Sequence, residues 1–188
     1  MTDPRLDATK TDVGRSTGET PQVFTTPVLP FRGRIASFHL VNVLGQGGMG
    51  TVYLAEQREP VRRFVALKVM RAALSTPADV ARFEGEREAL ARLTHPGIAQ
   101  MYEAGAVDGT PWFAMEYVEG EPLTLYCDAR ALSLRARIEL VVEVCRGVQF
   151  AHQKGIIHRD LKPGNLLVAE TGGAPHVKII DFGLAKAV

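Results

Sequence analysis

Sulfur is scarce in this chain. Two cysteines, Cys127 and Cys145, occur in 188 residues and do not form a CxxC pair. No disulfide framework follows from them, and a reduced, cytoplasmic setting is the simplest expectation. Charge of one sign is lacking too. Lys and Arg total 22 against 21 Asp and Glu, a net charge of +1, which gives no general nucleic-acid-binding or membrane-surface character. No apolar run approaches the ~18 residues of a membrane span. The opening MTDPRLDATK has charges but no apolar centre, so it is no secretory signal. His39, His95, His152, His158 and His176 lack ligand spacing with one another or with the cysteines. His152 is expected to be a hydrogen-bonded core histidine. No internal repeat is visible.

What is present suits a globular protein, with 46% hydrophobic and 23% charged residues. The length fits one ordinary domain or part of a larger one. The chain divides near residue 35. Residues 1–30 hold seven Thr, one Ser and four Pro with little apolar periodicity. Such a segment buries too little surface to offset its ordering entropy, so 1–35 is expected to be a disordered tail. Thr20-Pro21 and Thr26-Pro27 are potential phosphorylation sites there, read more simply as solvated linker.

The ordered part opens with strands: FHLVNVLG (Phe38–Gly45), TVYLAE (Thr51–Glu56) and FVALKVM (Phe64–Met70). A helix follows, with Thr76 as N-cap, Pro77 first, Asp79 in the first turn, and Val80, Phe83, Leu90 and Leu93 as its apolar stripe. Thr94-His95-Pro96-Gly97 ends it. Strands near Ile98–Ala106 and Trp112–Val118 are joined through an Asp108-Gly109 turn. Five strands and one helix make a coherent small lobe. Beyond it, Ser133 caps a long helix with a broad apolar face: Leu134, Ile138, Val141, Val142, Cys145, Val148 and Ala151. Gly155 stops it. Short strands are expected at Ile156-Ile157, Leu166–Val168 and Val177–Ile180, the last two joined by Gly172-Gly173.

The chemistry sits in four places. LGQGGMGTV places Gly45, Gly47 and Gly50 in a G-x-G-x-x-G pattern, and Gly50 runs into strand residues rather than a helix. The loop is therefore a strand–loop–strand flap whose backbone N–H groups can approach phosphate, or else an ordinary glycine hairpin. Lys68 lies inside an apolar strand, where its charge needs a carboxylate or a phosphate, unless it is an edge lysine that snorkels. Glu84, Glu86 and Glu88 are the helix carboxylates on offer, and Glu86 is the best candidate. HRDLKPGN crowds His158, Arg159, Asp160, Lys162 and Asn165 into eight positions, and Asp181 follows sixteen residues after Asn165. This set suits phosphoryl transfer. Asn165 and Asp181 offer oxygen ligands to Mg²⁺, Asp160 orients a hydroxyl nucleophile, and Lys162 adds positive charge.

In that order and spacing, from Leu44 to Ala185, the chain resembles the protein kinase family. GQGGMGTV resembles the glycine-rich loop, VALK the strand with the phosphate-binding lysine, HRDLKPGN the catalytic loop and DFG the magnesium motif. The resemblance implies an α+β fold. A five-stranded antiparallel N-lobe with one main helix (36–118) would precede an incomplete, mainly helical C-lobe (119–188). It implies Asp160, Lys162, Lys68 and Glu86 as catalytic residues, with Glu86 pairing Lys68. ATP would contact Leu44, Gly45, Gln46, Gly47, Gly48, Met49, Gly50, Val52, Ala66, Lys68, Met115, Glu116, Val118 and Leu167. Met115 would gate the pocket, and Glu116 and Val118 would form the hinge. Asn165 and Asp181 would hold Mg²⁺. Leu90, Met101, His158 and Phe182 resemble the stacked residues that link the lobes.

Lys162, two residues after Asp160, resembles the serine/threonine class, and the stretch from Tyr126 to Asn165 resembles bacterial, eukaryotic-like members. A protein substrate with Ser or Thr acceptors follows, with no nucleic acid. Arg159 resembles the arginine that pairs an activation-loop phosphate. After Val188 such kinases continue with an activation segment and further helices. The chain is therefore expected to be truncated just after DFG and to leave the apolar face of its long helix uncovered, open to association. Two functions compete: a serine/threonine kinase, and a non-catalytic nucleotide-binding fragment or pseudokinase-like remnant.

Overall fold

A computed structural model describes residues 33–71 and 76–182. The Thr/Pro-rich segment and the chain from Gly183 onward lie outside the described residues.

Nine strands and three α-helices are formed among the described residues. The first lobe is a sheet of β1 (Arg34–Ile35), β2 (Phe38–Gly47), β3 (Gly50–Gln57), β4 (Arg63–Met70), β5 (Met101–Val107) and β6 (Thr110–Glu116). It runs in the order β1-β2-β3-β4-β6-β5, and every pairing in it is antiparallel. The five expected strands are joined by a two-residue sixth. Arg34 and Ile35, assigned from sequence to the tail, pair with His39 and Phe38. Two residues are too few to show a period, which is why they read as tail.

Helix α1 (Pro77–Ala91) begins as its sequence dictates. Thr76 accepts from the Asp79 amide, and the Asp79 carboxylate accepts from the Thr76 amide, a reciprocal cap on two orphan donors. Phe83, Leu90 and Leu93 are buried, but Val80, in the first turn, is exposed. The hairpin between β5 and β6 turns at Asp108 and Gly109, both at positive φ, the conformation a two-residue type I′ turn demands.

Strand alternation sorts β4 between two cores. Val65 and Leu67 join Phe38, Ala55, Trp112 and Ala114 on one face. Met70 joins Phe83, Leu90, Phe113 and Met115 on the other. Lys68, in phase with Met70, thereby faces the α1 side.

The second lobe holds β7 (Glu121–Pro122), α2 (Leu123–Ala129), α3 (Leu134–Gln153), β8 (Leu166–Thr171) and β9 (Ala174–Ile179). The last two strands turn at Gly172 and Gly173, again at positive φ. Ile156-Ile157 forms no strand. Ile157 is 56% exposed, and the segment is an open connection into the catalytic loop.

The sequence pattern picked the stripe of α3 only in part: Ala151 is buried and Val148 packs against the core, but the other five expected residues are exposed. The buried residues are Leu140, Val144, Gly147 and Ala151. Leu134, Ile138, Val141, Val142 and Cys145 are exposed. Gly147 explains the rotation. A Cβ there would meet Ile179 Cδ1 at 2.9 Å, so the helix lies flat on β9 at a residue that hydrophobicity does not score. Glu143 accepts from the Val177 amide at 3.1 Å beside it. His152 is exposed on this helix, and the buried histidine is His158.

Candidate functional site

The sheet brings the glycine loop over Lys68. In the β2–β3 hairpin Gly47 pairs with Gly50, and in the next ladder Val52 pairs with Lys68. At Gly50 a Cβ would lie 2.1 Å from the Val69 carbonyl oxygen, so packing forbids any other residue. At Gly45, Gly47 and Gly48 a Cβ would meet no protein atom within 4 Å, and none of the three has positive φ. Neither packing nor conformation within the protein requires glycine at those three places. The space over them is open to close approach by a group from outside the protein.

Lys68 is not an edge lysine. Its strand is paired on both sides, and the residue is 7% exposed. The buried ammonium meets Asp181 Oδ2 at 2.9 Å. Glu86 is half-buried on α1.

The catalytic loop is a knot of hydrogen bonds. His158 is buried, with Nε2 2.9 Å from the Ile180 carbonyl, and its ring meets Phe182 edge-on at 4.6 Å. Its Nδ1 accepts from the Asp160 amide at 3.3 Å. Asn165, buried in the 3₁₀ turn Pro163–Asn165, donates through Nδ2 to the Asp160 carbonyl (2.7 Å) and carboxylate (3.2 Å). Its Oδ1 is then the atom the amide has to offer a cation. The Asn165 carbonyl accepts from the Ile180 amide at 3.0 Å, which sets Asp181 beside the turn. Arg159 and Asp181 both adopt positive φ, at 67° and 61°. Backbone strain of this kind is held only where surrounding bonds over-determine it.

Lys162 Nζ lies 2.8 Å from Asp160 Oδ2. That ammonium, helped by the Asn165 amide and against partial desolvation, holds the Asp160 carboxyl below its ordinary value.

One cavity of about 260 Å³ gathers these groups. Gly45, Gln46, Gly47, Gly48, Met49, Gly50, Val52, Lys68, Asp160, Lys162, Asn165 and Asp181 line it. Leu44, Ala66, Glu86, Met115, Glu116, Val118 and Leu167 do not. Ala66 and Met115 are cross-strand partners, and Glu116 begins the connection between the lobes. Leu90, Met101 and Phe182 meet around a small void beside Asp181. The donor set fits a hard cation, with one carboxylate and one amide oxygen.

Sequence reasoning passed over one polar contact here, between Lys178 and Glu116, 62 residues apart. A second lysine inside an apolar strand, three residues before Asp181, was the signal.

The arrangement is that of a bilobal α+β protein with a glycine flap, a buried lysine and an Asp–Lys–Asn loop facing a second aspartate. The protein kinase domain model matches residues 38–188, and the chain belongs to that family. It is 42% identical over 155 residues to the serine/threonine-protein kinase Pkn1 of Myxococcus xanthus, with 81% of this chain and 22% of that protein covered. It is 40% identical over 158 residues to the serine/threonine-protein kinase PknA of Mycobacterium tuberculosis, covering 80% and 36%. The crystal structure of the Mycobacterium tuberculosis PknI kinase domain superposes with a TM-score of 0.68 at 34% identity, covering 84% of this chain and 64% of that one. The chain thus spans about a fifth to a third of the length of these curated relatives.

Proposed function

We propose that this protein is a kinase that transfers a phosphoryl group from ATP to serine or threonine hydroxyls of proteins, with Mg²⁺. The convergence of the glycine loop, Lys68, Asp160, Lys162, Asn165 and Asp181 on one cavity carries this reading. Mg²⁺, held by Asn165 and Asp181, would offset charge on the phosphate oxygens. Lys68 and the loop amides bind phosphate, and Lys162 faces the transferring group. Leu44, Val52, Ala66, Met115, Glu116, Val118 and Leu167 form the base-binding side, and Glu86 supports Lys68 from α1.

Asp160 is the residue that meets the acceptor hydroxyl. Its lowered pKa makes it a weak base. It therefore accepts a hydrogen bond and orients the nucleophile, and takes the proton late, as a loose transition state allows. The charged form is favoured, so the carboxylate stays ionised until pH falls below its ordinary value of 3.8. Between pH 5 and 8 the transfer rate is expected to show no acid limb from Asp160. Replacing Lys162 with Met removes the largest cause of the shift and moves that limb to higher pH, read from the pH profile of kcat/KM.

The direct test is phosphate transfer from Mg-ATP to a generic Ser/Thr substrate. Asp160→Asn is expected to lower the rate by about 10²–10⁴-fold, the span that a positioned acid–base group contributes. A wild-type chain that binds nucleotide but transfers nothing would support the second reading, a nucleotide-binding remnant. Leu134, Ile138, Val141 and Val142 give α3 an exposed apolar face.

The same face favours association with another polypeptide. Among the described residues no helix is long and apolar enough to cross a membrane. A cytoplasmic location is part of this proposal, supported by a sequence with two cysteines and no CxxC pair. Substituting Ile138 and Val142 with Lys is expected to reduce self-association in sedimentation velocity without loss of helicity.

A further inference from the structure

Glu116 closes β6, and its amide and both carboxylate oxygens are engaged. Its amide donates to the Gln100 carbonyl at 2.8 Å, and its carboxylate accepts from the Gln100 amide at 3.2 Å. Lys178 Nζ reaches across from the other lobe, 2.8 Å from Oε1 and 2.9 Å from Oε2. Both side chains are about three-quarters buried, at 22% and 25% exposure. The strip around Gln100 is itself bonded to β9. The Ile179 amide donates to the Gly97 carbonyl and the Ala99 amide to the Ile179 carbonyl, each at 2.9 Å. The bonds form a closed ring: from the end of β6 to Gln100, through Ala99 to Ile179, one residue back to Lys178, and across to Glu116.

The ring has a direction. Val177 and Ile179 point into the core, so alternation turns Lys178 outward, toward Glu116. Two residues past Ile179 stands Asp181, which meets Lys68. One end of the ring is the base-binding connection and the other is the strand that delivers the metal-binding carboxylate. Loop and helix ends flex unless they are bonded at both sides, and here one ion pair closes the circuit.

We propose that Lys178 is a positioning residue. Its ion pair with Glu116 holds the inter-lobe connection at a fixed distance from Asp181, and so keeps the base side and the phosphate–metal side in register for one ligand that spans both. This rests on the nucleotide reading above. A ligand that touches only the base side does not need the register, whereas Mg-ATP does.

The test compares Mg-ATP with adenosine, by calorimetry on the 188-residue chain, for wild type, Lys178→Met, Lys178→Gln and Lys178→Arg. Breaking one partner of a largely buried ion pair is expected to weaken Mg-ATP binding about tenfold in the Met and Gln variants, with adenosine within about twofold. The Arg variant restores most of the loss. Equal losses for both ligands, or none for Mg-ATP, overturn the proposal, since a merely structural lysine moves both together. Amide exchange in the nucleotide-free chain supplies an independent arm. Faster exchange at Ala99, Gln100 and Glu116 in the Gln variant, and not in the Arg variant, supports the lock; unchanged exchange overturns it. A wild-type chain that binds neither ligand sinks the nucleotide reading, and the exchange arm then decides the lock alone.

Discussion

Replacing Asp181 with Asn is expected to weaken Mg-ATP binding by about a hundredfold or more while leaving metal-free adenosine binding nearly unchanged. Support residues around a bound metal are worth about 10–100-fold in affinity, and a direct anionic ligand is worth at least as much. The variant keeps an oxygen for Lys68, which now lies 2.9 Å from the carboxylate. A neutral acceptor still takes that hydrogen bond but not the countercharge of the buried ammonium, so folding is expected to lose about 1–3 kcal/mol. Titration of Mg²⁺ at fixed ATP separates the two effects. If affinity fell equally with and without the metal, Asp181 would be a structural partner of Lys68 and no ligand. The same logic covers Asn165. Its Nδ2 is committed to Asp160, so Asn165→Asp removes a donor that orients the acceptor-facing carboxylate.

The glycine loop divides into two kinds of glycine, and substitution separates them. Gly50→Ala is expected to destabilise the fold by about 1–3 kcal/mol, the usual cost of forcing a methyl into filled space. The obstruction is the Val69 carbonyl, which belongs to a paired strand and cannot swing aside. Gly47→Ala is expected to change stability by no more than about 1 kcal/mol, since the added methyl meets no protein atom and alanine costs no backbone entropy. Its effect falls on the ligand, with nucleotide affinity reduced about tenfold as the methyl stands where phosphate oxygens approach the backbone. Thermal melts with and without Mg-ATP read both. An apo melt of Gly47→Ala that drops as far as that of Gly50→Ala would return the loop to an ordinary hairpin.

Much of the site was legible along the chain because its parts are local. Thr76-Pro77-Asp79, Asp108-Gly109 and Gly172-Gly173 dictate a cap and two turns by interactions within four residues. HRDLKPGN is partly local in the same way, with Asn165 bonding Asp160 five residues away, although His158 and Asn165 also bond Ile180. The stripe of α3 was legible only in part. Apolar residues surround most of that helix, and the seat on β9 is chosen by Gly147, whose value is the absence of a side chain. His152 is exposed against expectation for a similar reason, since burial of an isolated histidine depends on what packs over it.

Residue types and short spacings were enough to indicate the protein kinase family. Each motif is a run of neighbours whose chemistry acts over a few ångströms. Distances between the runs depended on folding. Lys68 and Asp181 stand 113 positions apart and meet at 2.9 Å because strand alternation turns one toward the cleft and the Asn165–Ile180 bond sets the other. Lys178 and Glu116 meet across 62 positions for the same kind of reason. Pairing at that range is decided by sheet register and lobe packing, which no local pattern encodes.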